Sequence, residues 1–226
     1  MTVSNGRQFL SIPGPTNIPD EVLQAMNRPA IDLYSGSMLG ITYSLIEDLP
    51  KLFKTAGRVY MYAANGHGGW EAAYTNVLSR GDHVLVLESG RFAIGWGEMA
   101  RLMGAEIEVL PQSGRKAVDP AAVEARLKAD TKHSIKAIFV VQIDTAPSVV
   151  NDLPAIRKAI DAAGHPALLM VDTVASLGCM PYEMDAWGID VTMCGSQKGL
   201  MTPPGLALVA AGPRAMEAHK TANMRT

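Results

Sequence analysis

Two residues of the chain, Asp172 and Lys198, have side chains whose chemistry is useful in combination. Asp172 ends the apolar run 168–171, and Lys198 follows a second apolar segment, 190–194. Short apolar runs bounded by turn-forming residues are typical of strands that are buried on both faces of a parallel sheet. Ligands bind outside the carboxyl ends of such strands. We therefore expect Asp172 and Lys198 to lie close together at one edge of a sheet.

An acid and a lysine at neighbouring strand ends suit pyridoxal phosphate in particular. This cofactor needs a lysine for its Schiff base and a carboxylate that keeps its pyridine nitrogen protonated. Glycines at 195 and 199 flank Lys198 and predict a tight, exposed turn. Ser196 and Gln197 offer hydrogen-bond donors beside it, as a phosphate group requires. The alternative interpretation is a surface lysine and an acid that caps a loop.

A glycine-rich turn containing Asn65, Gly66 and His67 lies between a predicted strand, 59–62, and a predicted helix, 70–78. This order directs backbone N–H groups and the positive end of a helix dipole at an anion. The GK[ST] and GxGxxG motifs are both absent, which disfavours a nucleotide-binding α/β module. The turn is therefore predicted to bind a phosphate group smaller than a nucleotide.

Strands and helices alternate along the chain, which predicts an α/β fold with a mostly parallel, doubly wound sheet. Residues 1–19 contain three prolines and are predicted to form an extended arm. This arm either docks on the body of the protein or lines the substrate site through Gly14 and Pro15. Further predicted strands cover 83–88, 106–110 and 135–143, and further helices cover 20–27, 41–55, 93–104, 119–129 and 152–163.

Composition narrows the class of protein. Of the 226 residues, 48% are apolar and 19% are charged, and this supports a real core and argues against disorder. The net charge is −2 and the sequence has no basic run, so we do not expect the protein to bind nucleic acid. No apolar stretch is long enough to predict a membrane-spanning segment. Cys179 and Cys194 are not spaced as metal ligands. They predict two reduced cysteines in a cytoplasmic protein, with no metal site.

Four motifs occur in an order that resembles one family. The sequence is similar over essentially its whole length to the class V, fold-type I pyridoxal-phosphate aminotransferases, and specifically to the serine/alanine/aspartate–glyoxylate branch. The resemblance implies the three-layer large domain of these enzymes over residues 20–226, and a homodimer with a shared active site. The motifs are Gly14-Pro15-Thr16-Asn17, Asn65-Gly66-His67-Gly68, the run from Val171 to Gly178, and Ser196-Gln197-Lys198 followed by Pro203-Pro204-Gly205.

The resemblance also implies a role for individual residues. Lys198 forms the Schiff base and later moves a proton between substrate and cofactor, and Asp172 pairs with the pyridinium nitrogen. Phe92 stacks on the cofactor ring. Trp96 is the other aromatic candidate for this position, but it lies in a predicted helix and is expected to be a packing residue. Thr145 hydrogen-bonds to the ring hydroxyl. The residues expected to hold the phosphate are Asn65, Gly66, His67 and Gln197.

Two departures from the family pattern have consequences. Relatives continue beyond the lysine region with a small domain that carries a substrate-binding arginine, so we expect this chain to lack the C-terminal small domain. The segment 28–40 lacks the His-Arg pair that many relatives carry near the substrate. This difference predicts altered donor specificity, such as a preference for aspartate, with Tyr34, Ser35 and Ser37 as candidate contacts.

The predicted reaction is the transfer of an amino group from a small amino acid (serine, alanine or aspartate) to glyoxylate. Its products are glycine and a 2-oxo acid, formed in a ping-pong sequence. Three alternatives stay open at this point. They are another class V pyridoxal-phosphate enzyme such as a cysteine desulfurase or a lyase, a nucleotide-binding module, and a truncated fragment that folds and dimerises without turnover.

Overall fold

The computed structural model describes residues 9–112 and 116–224, which form nine strands and seven helices. No helix within these ranges is long and apolar enough to cross a lipid bilayer. The strands are β1 (Arg58–Ala64), β2 (His83–Leu87), β3 (Glu106–Leu110), β4 (Ile135–Val141), β5 (Ile143–Asp144), β6 (Val149–Val150), β7 (Leu168–Asp172), β8 (Val191–Gly195) and β9 (Gly205–Ala211). The helices are α1 (Asp20–Met26), α2 (Ser37–Phe53), α3 (Gly66–Thr75), α4 (Arg91–Leu102), α5 (Pro120–Ala129), α6 (Leu153–Ala162) and α7 (Pro213–His219).

Seven strands of the described chain form one sheet in the order β1-β9-β8-β7-β4-β2-β3. The five strands from β8 to β3 run parallel to one another, and β9 runs antiparallel to both of its neighbours, β8 and β1. Strands β5 and β6 pair separately as a short ribbon. The mostly parallel sheet predicted from the alternation of elements is confirmed.

Two apolar cores lie on opposite faces of this sheet and give the fold its three layers. Successive side chains of a strand point to opposite faces, so an uninterrupted apolar strand serves both cores. In β7, Leu169 and Val171 pack in the core that also contains residues of α5 and α6. Leu168 and Met170 pack in the other core, against residues of α3 and α4. The three-layer architecture expected from the resemblance is therefore confirmed.

Some elements differ from the sequence-based prediction. Helix α3 begins at Gly66 instead of residue 70, because the side chain of Asn65 caps it by accepting a hydrogen bond from the Gly68 N–H at 3.1 Å. The predicted strand 135–143 is interrupted at Gln142, which separates β4 from β5. Helix α2 begins within the predicted loop 28–40. Strand β9 and helix α7 follow Lys198, where the sequence analysis assigned no element.

The close packing of α4 on β2 depends on a glycine, and this gives a testable prediction. A Cβ atom at Gly97 would lie 2.7 Å from Cγ2 of the fully buried Val86. We expect Gly97→Ala to lower the free energy of unfolding by about 1–3 kcal/mol through overpacking. At Gly95, in the same helix, the nearest atoms belong to Trp70 and lie 3.8 Å away.

The matched control is therefore Gly95→Ala, which we expect to raise the free energy of unfolding by up to about 1 kcal/mol, because alanine favours a helix. Urea unfolding of both variants measures the difference. Equal shifts at the two positions would contradict the proposed close contact between Gly97 and Val86.

Candidate active site

A cavity of about 240 Å³ lies at the carboxyl ends of the central strands. Asp172 ends β7, and Lys198 lies in the turn that follows the adjacent parallel strand β8. The prediction that these two residues lie at one edge of the sheet is confirmed. Every residue that the sequence analysis proposed for the cofactor lines this cavity, namely Asn65, Gly66, His67, Phe92, Thr145, Asp172, Gln197 and Lys198.

The carboxylate of Asp172 is buried and held by two donors. The indole N–H of Trp70 donates to Oδ2 at 2.7 Å, and the backbone N–H of Val174 donates to Oδ1 at 2.7 Å. Burial raises the pKa of Asp172 to about 6, although both hydrogen bonds and the positive charge of Lys198 oppose this rise. The nearby Asp144 adds to the rise. Asp172 therefore changes its charge close to neutral pH.

The amine of Lys198 contacts the N-terminal arm. Its Nζ donates a hydrogen bond to the carbonyl oxygen of Pro13 at 2.6 Å, and the Thr16 N–H donates to the carbonyl of Gln197 at 3.0 Å. Gly14 adopts a φ of 125°, and a Cβ atom there would lie 2.5 Å from Nζ. The arm can therefore approach the lysine only with glycine at this position.

The first turn of α3 borders the same cavity. The first N–H groups of a helix have no partner within the helix, and the helix dipole makes this end positive. Gly66 and His67, the first two residues of α3, line the cavity, and so does the capping residue Asn65. The side-chain oxygen of Gln197 is buried and has no hydrogen-bond partner among the described residues. These features fit a cavity that receives a phosphate-bearing molecule.

Asp144 fixes the start of α4 beside the cavity. Its fully buried Oδ2 accepts hydrogen bonds from the backbone N–H groups of Phe92 and Ala93, each at 3.0 Å. A carboxylate at a helix N-terminus satisfies unpaired donors and favours the helix dipole. Asp144 therefore determines where Phe92 lies. Trp96 is fully buried in the core and stacks on Phe139 at 4.2 Å, as expected for a packing residue.

Sequence reasoning missed two residues that shape this site, Trp70 and Asp144. Trp70 lies three residues after His67 in α3, and side chains at this spacing lie on one face of a helix. Asp144 comes at the end of an apolar segment of the sequence, as Asp172 does. Both signals were therefore present in the sequence, but the hydrogen bonds of these residues join elements that are far apart along the chain.

The structure corrects the role expected for Ser196 and shows where three candidate substrate residues lie. The Ser196 hydroxyl donates to the Pro203 carbonyl at 2.6 Å, so its single proton holds the loop together and is not available to a phosphate. Tyr34 is 88% exposed and is not among the residues that line the cavity. The Ser35 hydroxyl donates a hydrogen bond to Asp32 at 2.7 Å. Gly14 lines the adjoining groove, which also includes Lys198.

The family of the chain follows from comparison with known sequences. Residues 63–223 match the profile of the family described as aminotransferase class-V. This chain belongs to the class-V aminotransferase family. Membership of that family agrees with the resemblance found in the motifs, and it disfavours the nucleotide-binding module further.

Individual relatives of this class-V aminotransferase come from several bacteria. The chain is 44% identical to a serine–glyoxylate aminotransferase of Methylorubrum extorquens, over 94% of this chain and 53% of that protein. It is 42% identical to an L-aspartate–glyoxylate aminotransferase of Paracoccus denitrificans, over 94% and 54%. The structure of a ureidoglycine–glyoxylate aminotransferase from Bacillus subtilis superposes with a TM-score of 0.85 at 29% identity, over 92% and 53%. The chain thus spans about half the length of the curated relatives it matches.

Proposed function

We propose that this chain carries the cofactor site of an enzyme that transfers an amino group from serine, alanine or aspartate to glyoxylate. The products are glycine and the 2-oxo acid of the donor. The observation that carries the proposal is the cavity in which the amine of Lys198 and the carboxylate of Asp172 lie at neighbouring strand ends. The names of the relatives support glyoxylate as the acceptor and serine or aspartate as the donor.

The proposed cofactor is pyridoxal 5'-phosphate, and the lining residues fit its functional groups. When bound, it withdraws electrons from the Cα atom of an amino acid and so makes the Cα proton acidic. Lys198 would hold the cofactor through Nζ, and its amine would also serve as the base that moves this proton. Asp172 keeps the ring nitrogen protonated through its negative charge. Phe92 and Thr145 line the cavity, where Phe92 would cover the ring and Thr145 would hydrogen-bond to the ring hydroxyl.

The phosphate is assigned to the start of α3. Asn65, Gly66, His67 and Gln197 are proposed to hold it, and the positive end of the helix dipole favours its charge. The cap formed by the Asn65 side chain on the Gly68 N–H keeps this turn in a fixed conformation. A phosphate held in this way orients the rest of the cofactor toward Lys198 and Asp172.

A donor screen tests the proposed reaction. Purified protein is incubated with pyridoxal phosphate, glyoxylate and either serine, alanine or aspartate, and glycine is quantified. We expect glycine to form with at least one donor in proportion to the 2-oxo acid produced. A protein that binds the cofactor but forms no glycine from any donor would contradict turnover by this chain and favour the alternative of a fragment that folds without turnover. Sulfide release from cysteine would instead support the desulfurase alternative.

We also propose that the protein forms a homodimer in which a second copy covers an apolar surface of α2. Tyr43 is 62% exposed and Ile46 is 51% exposed, and their spacing places them on one face of the helix. Adjacent exposed apolar residues are typical of an interface. A Tyr43→Glu/Ile46→Glu variant is therefore expected to dissociate the dimer, as measured by light scattering.

The control for this variant is Leu102→Glu, at a residue that is 71% exposed on α4. This substitution is expected to leave the molar mass in solution unchanged. A dimer that persists in the α2 double variant would contradict the assignment of this surface, and a monomeric parent protein would contradict the dimer itself.

Two further assignments accompany the proposed function. We propose that residues 1–19 form an arm and residues 20–226 a single cofactor-binding domain, although 1–8 and 225–226 lie outside the described residues. The hydrogen bonds of Pro13 with Lys198 and of Thr16 with Gln197 support this assignment of the arm. A cytoplasmic location is proposed because Cys179 and Cys194 are both free thiols. Donor recognition by Pro15, Tyr34, Ser35 and Ser37 remains part of the proposal, and the donor screen can be repeated on variants of these residues.

A further inference from the structure

Trp70 and Asp172 both line the cavity, and a hydrogen bond joins their side chains. The indole N–H of Trp70 donates to Oδ2 of Asp172 at 2.7 Å, and both residues are 3% exposed. A buried indole N–H needs a partner, and a carboxylate is a strong acceptor. Each carboxylate oxygen can accept two hydrogen bonds, so the Trp70 and Val174 donors still leave one acceptor position on each oxygen. The carboxylate is therefore held while it can still bind a third group.

Aromatic contacts hold the Trp70 ring on two sides. Trp96 stacks on it with a centroid distance of 6.1 Å and an angle of 12° between the planes, and Trp96 itself stacks on Phe139. The ring of His67 contacts Trp70 edge-on at 4.7 Å. These contacts limit rotation of the indole and so fix the direction of its N–H group. In contrast, the indole N–H of the neighbouring Trp96 has no partner among the described residues.

We propose that Trp70 is a positioning residue, whose indole N–H holds the Asp172 carboxylate ionised and oriented for the ring nitrogen of the cofactor. This inference rests on the proposed function for the identity of the cofactor. The hydrogen bond itself does not depend on that function, and it can be tested in protein that contains no cofactor.

Other groups near Asp172 also affect its ionisation, and their effects differ from that of the Trp70 N–H. Asp144 disfavours the ionised form of Asp172, and Lys198 favours it. Cys194 is a further titratable neighbour, but burial and the charge of Asp172 raise its thiol pKa to about 12, so it stays neutral. His67 contacts the Trp70 ring edge-on at 4.7 Å. Among these groups Trp70 and the Val174 backbone donate hydrogen bonds directly to the carboxylate, and only the Trp70 donor belongs to a side chain.

Carboxyl titration without cofactor provides the first test. Difference infrared spectroscopy follows the protonated carboxyl of Asp172, assigned through the Asp172→Asn variant, across the pH range. Trp70→Phe keeps an aromatic ring but removes the donor, and we expect it to raise the pKa of Asp172 by about one to two pH units. Trp96→Phe removes the N–H of the stacked neighbour and is expected to leave this pKa unchanged. An unchanged pKa in Trp70→Phe, or an equal rise in both variants, would overturn the inference.

A second variant removes the N–H with less change in shape. Site-specific replacement of Trp70 by 3-benzothienylalanine keeps a bicyclic ring and substitutes sulfur for the N–H group. We expect the same rise in the Asp172 pKa, so the test still applies if Trp70→Phe folds poorly. A parent-like titration in this analogue would contradict the positioning role.

Cofactor affinity gives a readout that a purely structural defect would not reproduce. Relative to the parent, Trp70→Phe is expected to weaken pyridoxal phosphate binding about two- to tenfold at pH 7, where Asp172 becomes partly protonated, and much less at pH 9. An equal loss at both pH values would indicate damaged packing and overturn the inference. If the parent binds no cofactor, the proposed function fails, whereas the cofactor-free titration still decides the role of Trp70.

Discussion

Replacement of Lys198 by alanine is expected to abolish the visible absorbance band that forms when pyridoxal phosphate is added to the parent protein. The side chain of Lys198 is the amine that lines the cavity between Asp172 and the start of α3. Without this amine there is no covalent attachment and no positioned base. General acid–base catalysis alone contributes about 10²- to 10⁴-fold to a rate, so amino transfer should fall by at least about 10³-fold when both functions are lost.

One further variant separates this effect from a general loss of charge. Lys220→Ala removes an exposed lysine that pairs with Glu217 on α7, and it should keep both the band and the activity. Absorbance spectra with and without an amino acid, recorded beside a folding control by circular dichroism, measure the outcome. A folded Lys198→Ala protein with the parental band would show that another amine carries the cofactor.

Asp172→Asn is expected to give the second largest effect. The substitution keeps the size of the side chain but removes the charge that stabilises a protonated ring nitrogen. Loss of one partner from a buried ion pair costs about 3–5 kcal/mol, which corresponds to a loss of cofactor affinity of about 10²- to 10⁴-fold. Titration with pyridoxal phosphate followed by absorbance measures this loss directly, before any assay of turnover.

The same carboxylate predicts how binding depends on pH. The pKa of Asp172 is raised by burial to about 6, so a fall in pH from 8 to 5 protonates it and should weaken cofactor binding in the parent. In Asp172→Asn this inflection should disappear. A parent protein whose affinity does not change between pH 8 and pH 5 would contradict the assigned pairing with the ring nitrogen.

Stability should respond in the opposite direction to binding. Because folding raises the pKa of Asp172 above the ordinary 3.8, it favours the protonated form. The contribution of this group to the free energy of unfolding is therefore complete below about pH 4 and is lost as the pH rises through about 6. The ionised carboxylate costs roughly 3 kcal/mol at neutral pH, since each pKa unit corresponds to about 1.4 kcal/mol.

In Asp172→Asn, the free energy gained by removing this buried charge is offset by the cost of a buried hydrogen-bond donor that is left unpaired. In Asp172→Asn the amide oxygen cannot accept from both the Trp70 and Val174 N–H groups in their present places, and an unpaired buried donor costs about 1–3 kcal/mol. We therefore expect a free energy of unfolding close to that of the parent. The control is Asp190→Asn, which alters a buried carboxylate bonded to the Leu169 N–H and Arg214, outside the cavity. This control should keep cofactor affinity, because Asp190 does not line the cavity.

Sequence patterns were enough to predict eight residues that line the cavity and most of the elements that carry them. Buried strands leave a continuous apolar run, and the acid that ends β7 and the turn after β8 mark the ends of such runs. The glycine-rich turn at Gly66 signals the start of a helix through local composition alone. These signals depend on neighbours along the chain, so they can be interpreted without knowing the order of the strands.

The contacts between distant groups that hold the site in place could be found only in the folded structure. Trp70 bonds to Asp172 across 102 residues, and the Phe92 N–H bonds to Asp144 across 52. Lys198 reaches Pro13 across 185 residues, and β9 enters the sheet between β1 and β8. Local periodicity carries no information about such pairs. They form because the strand order brings the carboxyl ends of β4, β7 and β8 to one edge, where buried polar groups must find partners.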